Sequence, residues 1–465
     1  MSEPAPPRRA AYEVLRRAFE HGAWADRAFP AAADRHGLDP RERAQAQRLA
    51  YGAIQRRGTT DHLIEQLAGR PPERLDPAVL AALRLGLFEL LWSRRAPDHA
   101  VVDQAVELAK RSAAPSDPAR TRRADAAAGV VNAILRRAVA ERATLLSGLD
   151  DSAPEGAAIA HSYPRWLASM WWREVGPEDA RSLMRALNQP GETALRVNTI
   201  RADPASLLGW LSDGEEVERP QASGPLAPTE ALVIRGRVGE RTRQALAAGK
   251  AVAQSRASQM VVALLDPKPD ERILDLCAAP GLKTSAIAAR MRNRGEIVSV
   301  ELDPGRAGRM RDLCERLGVG CVRLIQGDAA RADVGDGYDR VLVDPPCSDL
   351  GTLASRPDAR WRKSPAQVER LAELQGRILE RATARLRPGG TLVYSTCTIS
   401  RRENEDRVIG SLASRPDLDA DELGADHPGI ASWHDSRFLQ TRPDRDGTEG
   451  FFVARVARRP TPGGG

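Results

Sequence analysis

Arg272-Ile273-Leu274-Asp275-Leu276-Cys277-Ala278-Ala279-Pro280-Gly281-Leu282-Lys283-Thr284 reads as a short apolar strand, a turn of small residues and the start of a helix. Small side chains in such a turn let a ligand come close to the backbone. The helix that opens near Lys283 presents free N–H groups. Glu301 stands twenty residues after Gly281, near the end of a second apolar run, Ile297–Asp303. A carboxylate placed there accepts two hydroxyl hydrogens from a ribose. A third run, Val322–Gln326, leads into Gly327 and Asp328, a carboxylate suited to an adenine amino group.

Two more runs, Arg340–Asp344 and Thr391–Ser395, make five strands that alternate with helical stretches from Glu271 onward. This alternation predicts a mostly parallel α/β sheet covered on both faces, with ligands at the carboxyl ends of the strands. Further on, Phe438–Thr441 and Phe451–Val456 flank Asp446-Gly447-Thr448-Glu449-Gly450, which predicts a hairpin with an antiparallel edge strand. The turn has neither the G-x-G-x-x-G nor the P-loop pattern. A nucleoside without phosphates therefore fits better than a nucleotide, and S-adenosylmethionine is such a ligand. A dinucleotide dehydrogenase would need the missing glycine fingerprint.

The fourth strand runs into Asp344-Pro345-Pro346-Cys347-Ser348 and the fifth into Thr396-Cys397-Thr398. Each places a cysteine just beyond a strand's carboxyl end. Two thiols near such a cofactor point to one chemistry. Carbon 5 of a pyrimidine is too poor a nucleophile to take a methyl group directly. Thiolate addition at carbon 6 makes carbon 5 enamine-like, and loss of the carbon-5 proton then releases the thiolate. Asp344, held by two rigid prolines, is placed to hydrogen-bond the base at N3. This chemistry alone does not say which thiol attacks. Cys314 and Cys321 read as inert small apolar residues. No C-x-x-C pair or H-E-x-x-H helix occurs, so no metal site is expected.

The 465 residues carry a net charge of +6, with 42% hydrophobic and 28% charged residues, which excludes a mainly disordered or collagen-like chain. The first 150 residues hold 24 basic and 19 acidic side chains, and so most of the excess, as an RNA-binding module would. No apolar run reaches the roughly 18 residues of a membrane span. Met1-Ser2-Glu3-Pro4 lacks a signal-peptide layout, so a cytoplasmic protein is expected. Helical stripes at Ala11–Phe19, Leu80–Leu91, Val102–Ala109 and Val131–Leu135 predict an all-α domain over 1–147. Arg111–Asp125, with two prolines and four basic residues, reads as a mobile loop, and 146–160 as a linker. A small α+β unit is expected over 161–269, with a helix from Tyr163-Pro164-Arg165-Trp166, strands at Leu195–Thr199 and Ala231–Ile234, and a helix from Pro204 to Leu211. The α/β domain spans 270–459, and Pro460–Gly465 reads as a flexible end.

These residues resemble the RNA cytosine-5 methyltransferase family, and specifically its Sun/Fmu group. Those are bacterial 16S ribosomal RNA enzymes with a NusB-like antiterminator domain in front. The resemblance spans nearly the whole chain. It includes Leu49-Ala50-Tyr51-Gly52, Val131–Arg137, Leu195-Arg196-Val197-Asn198, Glu403-Asn404-Glu405 and Gly450-Phe451-Phe452. It implies S-adenosylmethionine as cofactor, held by the loop Cys277, Ala278, Ala279, Pro280, Gly281, Leu282 and Lys283 together with Glu301, Asp328 and Asp344. It implies Cys397, in the Thr-Cys motif, as the nucleophile, and Cys347, in the Pro-Cys motif, as the thiol that assists release. It implies 16S ribosomal RNA, free or in an early particle, as the partner of a monomer. Transfer RNA or large-subunit RNA is the alternative substrate. A catalytically silent RNA-binding assembly factor is the alternative from another class. Arg94, Arg95, Arg122, Arg123, Arg136, Arg137, Arg356, Arg360 and Trp361 are the candidate RNA contacts. The sequence departs from the family at Leu282 and Asp349, where Gly is common, and at Ser255 and Arg256, where acids are common.

Overall fold

The computed structural model describes residues 3–93, 95–111, 118–221 and 224–460. The contacts divide the chain into two compact units, Met1–Gln189 with Leu353–Arg362, and Pro190–Thr352 with Lys363–Gly465.

The first unit is all α-helix among the described residues. Its helices include Pro6–Glu20, Pro40–Gln55, Arg57–Ala68, Pro77–Phe88, Asp98–Arg111 and Pro118–Ala140. Asp39 and Glu42 close a capping box at the start of Pro40–Gln55. Asp76 accepts the Ala78 N–H at 2.9 Å, so Asp76-Pro77 is the helix start expected from its residue types. The expected stripes form the core: Ala11, Val14, Leu15, Leu83, Leu87, Val131 and Leu135 are buried together. Within Arg111–Asp125, residues 112–117 lie outside the described part, and 118–125 are helical rather than a loop. The stretch 146–160 is not a plain linker, because Pro154 opens a helix that runs to His161.

Two of the candidate RNA contacts are instead structural parts of this unit. Arg360 is fully buried, lies over the Tyr163 ring at 4.2 Å and donates to Asn188 Oδ1 at 2.7 Å. Trp361 Nε1 donates to the Ile54 carbonyl at 2.8 Å. A guanidinium taken out of water needs partners, and here backbone carbonyls take both terminal nitrogens while an aromatic face covers the group. Arg95, Arg122, Arg123, Arg136, Arg137 and Arg356 remain exposed, and Arg94 lies outside the described residues.

The second unit contains two sheets. The smaller is antiparallel, built from β1 (Thr193–Val197), β2 (Val217–Glu218), β3 (Ala231–Ile234) and β4 (Ala251–Ala253) in the order β2-β3-β1-β4. With helix Pro204–Ser212 and others it makes the expected α+β unit. The larger sheet holds β5 (Arg272–Leu276), β6 (Glu296–Glu301), β7 (Val322–Gln326), β8 (Tyr338–Val343), β9 (Leu386–Thr396), β10 (Leu418–Ala420), β11 (Leu439–Gln440) and β12 (Phe452–Arg458). Its order is β10-β12-β9-β8-β5-β6-β7, with β11 also paired to β12. Strands β5 to β9 are parallel and β12 runs antiparallel to β9.

Two details differ from expectation. The strand β12 is not an edge, because β10 pairs along its outer side with Leu418 opposite Arg458. Only three residues long, β10 carries no readable alternation. The strand β9 begins five residues early, since Pro388-Gly389-Gly390 forms an irregularity in the ladder rather than a turn between elements. No helix among the described residues is long and apolar enough to cross a membrane.

Candidate active site

The chain order reverses between β5 and β8, which are neighbours in the sheet although β6 and β7 come between them in sequence. The carboxyl ends of strands at such a switch point form a crevice. Both groups of candidate residues lie there.

On one side is the turn after β5. Cys277 sits at φ 65° and Gly281 at φ 96°, and the Ala279–Pro280 peptide is cis. Gly281 is required twice over: its φ is left-handed, and a Cβ would lie 2.9 Å from Met310 Cγ. Helix Leu282–Arg290 follows. Burial pushes the Cys277 thiol well up, so it is a neutral wall of the turn. Glu301, only 3% exposed, accepts the Ala279 N–H at 3.3 Å and the Asp303 N–H at 3.0 Å. These bonds fix its carboxylate at the end of β6. Leu302 beside it is 66% exposed, an apolar face that the sequence reading missed. The signal was present as a large apolar residue directly after the strand-end acid. Asp328 follows β7 and its carboxylate accepts the Ala330 N–H at 3.0 Å. Beneath the turn, Asp275 is buried and bonded to Thr284 Oγ1 at 2.6 Å, and burial lifts its pKa to about 7.

The small sheet steadies this turn. Buried Arg196 on β1 donates to Gln254 Oε1 at 2.7 Å and to Ser285 Oγ at 2.8 Å, in the first turn of helix Leu282–Arg290. Asn198 donates to the Gly249 and Leu317 carbonyls, each at 2.8 Å. Two departures from the family pattern are accounted for nearby. Ser255 caps helix Arg256–Leu265, and Arg256 pairs with Glu192 at 2.7 Å.

On the other side are the ends of β8 and β9. Asp344 accepts from Lys283 Nζ at 2.6 Å and from Ser395 Oγ at 3.0 Å. Burial works against the Lys283 charge, but the Asp344 carboxylate outweighs it and holds the ammonium above its ordinary pKa. The Lys283 ammonium also lies 5.1 Å from the Phe451 ring centre. Cys347 and Cys397, fifty residues apart in the chain, bring their sulfurs to 3.3 Å. The hydrogen bond with Cys347, burial and the Asp349 and Asp344 charges push the Cys397 thiol well above its usual pKa. Asp349 Oδ1 lies 3.2 Å from Cys397 Sγ and 3.9 Å from Cys347 Sγ, and its other oxygen pairs with Lys363 Nζ at 3.2 Å.

A buried network locks the two thiol loops together. Glu403, fully buried, accepts the Ser348 N–H at 2.9 Å, the Ser348 hydroxyl and the Gln375 amide at 3.0 Å. Burial raises its pKa above the usual carboxylate range. Asn404 donates to the Thr398 carbonyl at 3.1 Å and accepts from Thr396 Oγ1. Gly351 N–H donates to the Cys397 carbonyl at 3.0 Å, and Gly450 N–H to the Gly351 carbonyl at 2.9 Å. A Cβ on Gly351 would sit 1.9 Å from the Gly450 carbonyl oxygen, so three backbone segments meet where only glycine fits. Thus Glu403, Asn404, Gly450 and Phe451 lie against the loops and side chains of the site.

The chain matches three family models: NusB family over residues 5–140, Methyltr_RsmF/B-like ferredoxin-like domain over 163–227, and 16S rRNA methyltransferase RsmB/F over 262–457. It is 31% identical to a probable ribosomal RNA small subunit methyltransferase B of Bacillus subtilis, with 97% of this chain and 98% of that protein covered. The chain belongs to the RsmB/F family of 16S rRNA methyltransferases. It is also 34% identical to a putative methyltransferase of Mycobacterium tuberculosis over 97% of this chain and 96% of that one. Among solved structures, PH0851 matches with a TM-score of 0.79 and 27% identity, covering 98% of this chain and 99% of that one. Membership covers the helical domain, the small sheet and the α/β domain alike.

Proposed function

We propose that the chain transfers a methyl group from S-adenosylmethionine to carbon 5 of a cytosine in small-subunit ribosomal RNA, through a Cys397 adduct at carbon 6. The observation that carries this reading is the pair of thiols 3.3 Å apart at the ends of adjacent strands, beside a crevice rimmed by strand-end acids. The RsmB/F membership supplies the RNA class.

The crevice residues fit the cofactor chemically. Glu301 is held by two backbone N–H groups and keeps lone pairs for a ribose diol. Asp328 offers an acceptor to an adenine amine, and exposed Leu302 an apolar surface to its ring. The small side chains of the turn Cys277–Lys283 would let a ligand approach its backbone. No cluster of backbone N–H groups demands a phosphate. When bound, the cofactor supplies an electrophilic methyl group on a sulfonium.

The protein's own groups then divide the work. Cys397 attacks carbon 6 and leaves a nucleophilic carbon 5. Cytosine N3 carries no hydrogen and becomes more basic as carbon 6 is attacked, and the Lys283–Asp344 pair is placed to hand it a proton. The high pKa of Cys397 makes its thiolate a strong nucleophile once formed, and it requires a nearby proton acceptor. Cys347, hydrogen-bonded to Cys397, is placed to help break the carbon 6–sulfur bond after methyl transfer.

The test is product analysis. Unmodified small-subunit RNA is incubated with the protein and methyl-labelled S-adenosylmethionine, then digested to nucleosides. Label in 5-methylcytidine is expected. Label in any other nucleoside, with none in 5-methylcytidine, contradicts the proposed chemistry.

A further inference from the structure

Asp349 stands out in two ways. It adopts φ 59°, a left-handed conformation that Asp and Asn tolerate better than other side chains. It directs one carboxylate oxygen at the sulfur of Cys397 and the other at Lys363. A carboxylate facing a thiol raises that thiol's pKa, which by itself is a disadvantage for a nucleophile. It is useful only if the carboxylate takes the proton.

We propose that Asp349 is the proton acceptor for Cys397 in the attack on the RNA base. The inference rests on the reading of Cys397 as nucleophile. The 3.2 Å contact to Cys397 Sγ against 3.9 Å to Cys347 Sγ selects which thiol it serves. The S–H bond breaks and its proton passes to Asp349 Oδ1. The sulfur's electron pair forms the S–C6 bond, and the C5=C6 pair moves to carbon 5. After methyl transfer a water takes the carbon-5 proton, the C–H pair re-forms C5=C6, the C6–S bond breaks, and protonated Asp349 returns its proton to the departing sulfur. The Lys363 ammonium holds the second oxygen and fixes the carboxylate in the reactive orientation. The other ionisable groups facing Cys397 are Cys347, Asp344 and Lys283. Cys347 is a thiol already hydrogen-bonded to the same sulfur, and Asp344 is engaged by Lys283 and Ser395.

The experiment measures adduct formation on small-subunit RNA containing 5-fluorocytidine, whose carbon 5 has no proton to lose, so the methylated adduct persists. Wild type, Asp349→Asn and Asp349→Gly are compared from pH 6.5 to 9. Cofactor affinity by calorimetry confirms that each variant is folded, since both replacements accept a positive φ. Asp349→Asn is expected to form adduct about 100-fold more slowly at pH 7, the lower end of general-base effects. Its deficit should shrink as pH rises, because its thiol must first ionise into water. Formate should partly rescue Asp349→Gly. A deficit equal at every pH without formate rescue, or rates within twofold of wild type, overturns the proton-acceptor role while leaving Cys397 as nucleophile. Absence of an adduct in wild type overturns both.

Discussion

The two sides of the crevice are built differently. On the side proposed for the nucleoside, each candidate group follows its own strand: the turn after β5, Glu301 at the end of β6, Asp328 after β7. Their neighbours in sequence hold them, as Ala279 and Asp303 hold Glu301. On the thiol side, the parts come from four distant segments. Cys347 and Asp349 follow β8, Lys363 precedes a long helix, Cys397 follows β9, and Glu403 and Gly450 brace them from further on. A local site tolerates distant change. An assembled site fails when any of its braces fails.

Among residues without chemistry of their own, the largest effect should therefore come from a brace of the thiol side. Gly351→Ala places a methyl group against the Gly450 carbonyl and must push the Cys397 loop. Misplacement of a reacting group by about 1 Å costs on the order of 100-fold. Methyl transfer is expected to fall by at least about 100-fold, with cofactor affinity within about threefold of wild type. Equal losses in both would mean that the two sides are not independent. Steady-state kinetics and calorimetry on the same preparation separate these outcomes.

The opposite substitution probes the other side. Glu301→Ala removes a charged hydrogen-bond acceptor worth about 1.5–3 kcal/mol. The dissociation constant for S-adenosylmethionine should rise roughly 10–100-fold, and the rate at saturating cofactor should change only a few-fold. A collapse of that rate would show that Glu301 also shapes the thiol side.

A smaller, pH-dependent effect separates structure from chemistry beneath the turn. Asp275 has a folded pKa of about 7, above the value near 4 of an unfolded aspartate. The folded state therefore keeps a proton that the unfolded state has lost between those values. Its contribution to stability is fully present below about pH 4, declines as pH rises toward 7, and levels off above. Asp275→Asn should remove that decline and raise the melting temperature at pH 8 on the order of 5 °C, with no gain at pH 4. A gain equal at both pH values would contradict the burial of an ionisable group.

The same contrast explains what the amino-acid sequence made legible. The strands β5 to β8 are apolar and bounded by Gly, Pro and acidic residues, so they and their strand-end acids could be read one at a time. The helical domain was legible for the same reason, through its 3.6-residue stripes. The pairing of Cys347 with Cys397 was legible only as two strand ends, since their distance depends on β8 and β9 being neighbours. Asp349 and Lys363 were not legible as partners, because a 14-residue separation through irregular chain predicts no contact. Arg360 and Trp361 misled, as basic and aromatic residues after the Pro-Cys motif suggest RNA. The burial of Arg360 and the partial burial of Trp361 come from the segment Leu353–Arg362 packing as part of the helical unit. No local pattern marks an arginine that will be buried against a tyrosine. The strand β10 was missed because three residues carry no period.

The division of labour between the two thiols is the central claim, and one gel tests it. Wild type, Cys397→Ala and Cys347→Ala are incubated with methyl-labelled S-adenosylmethionine and small-subunit RNA lacking the modification, then resolved under denaturing conditions. Label should enter free RNA with wild type and be absent with Cys397→Ala. With Cys347→Ala it should accumulate in a protein–RNA adduct. Label transfer by Cys397→Ala, or an adduct that forms with Cys397→Ala and not with Cys347→Ala, would make Cys347 the nucleophile and contradict the assignment.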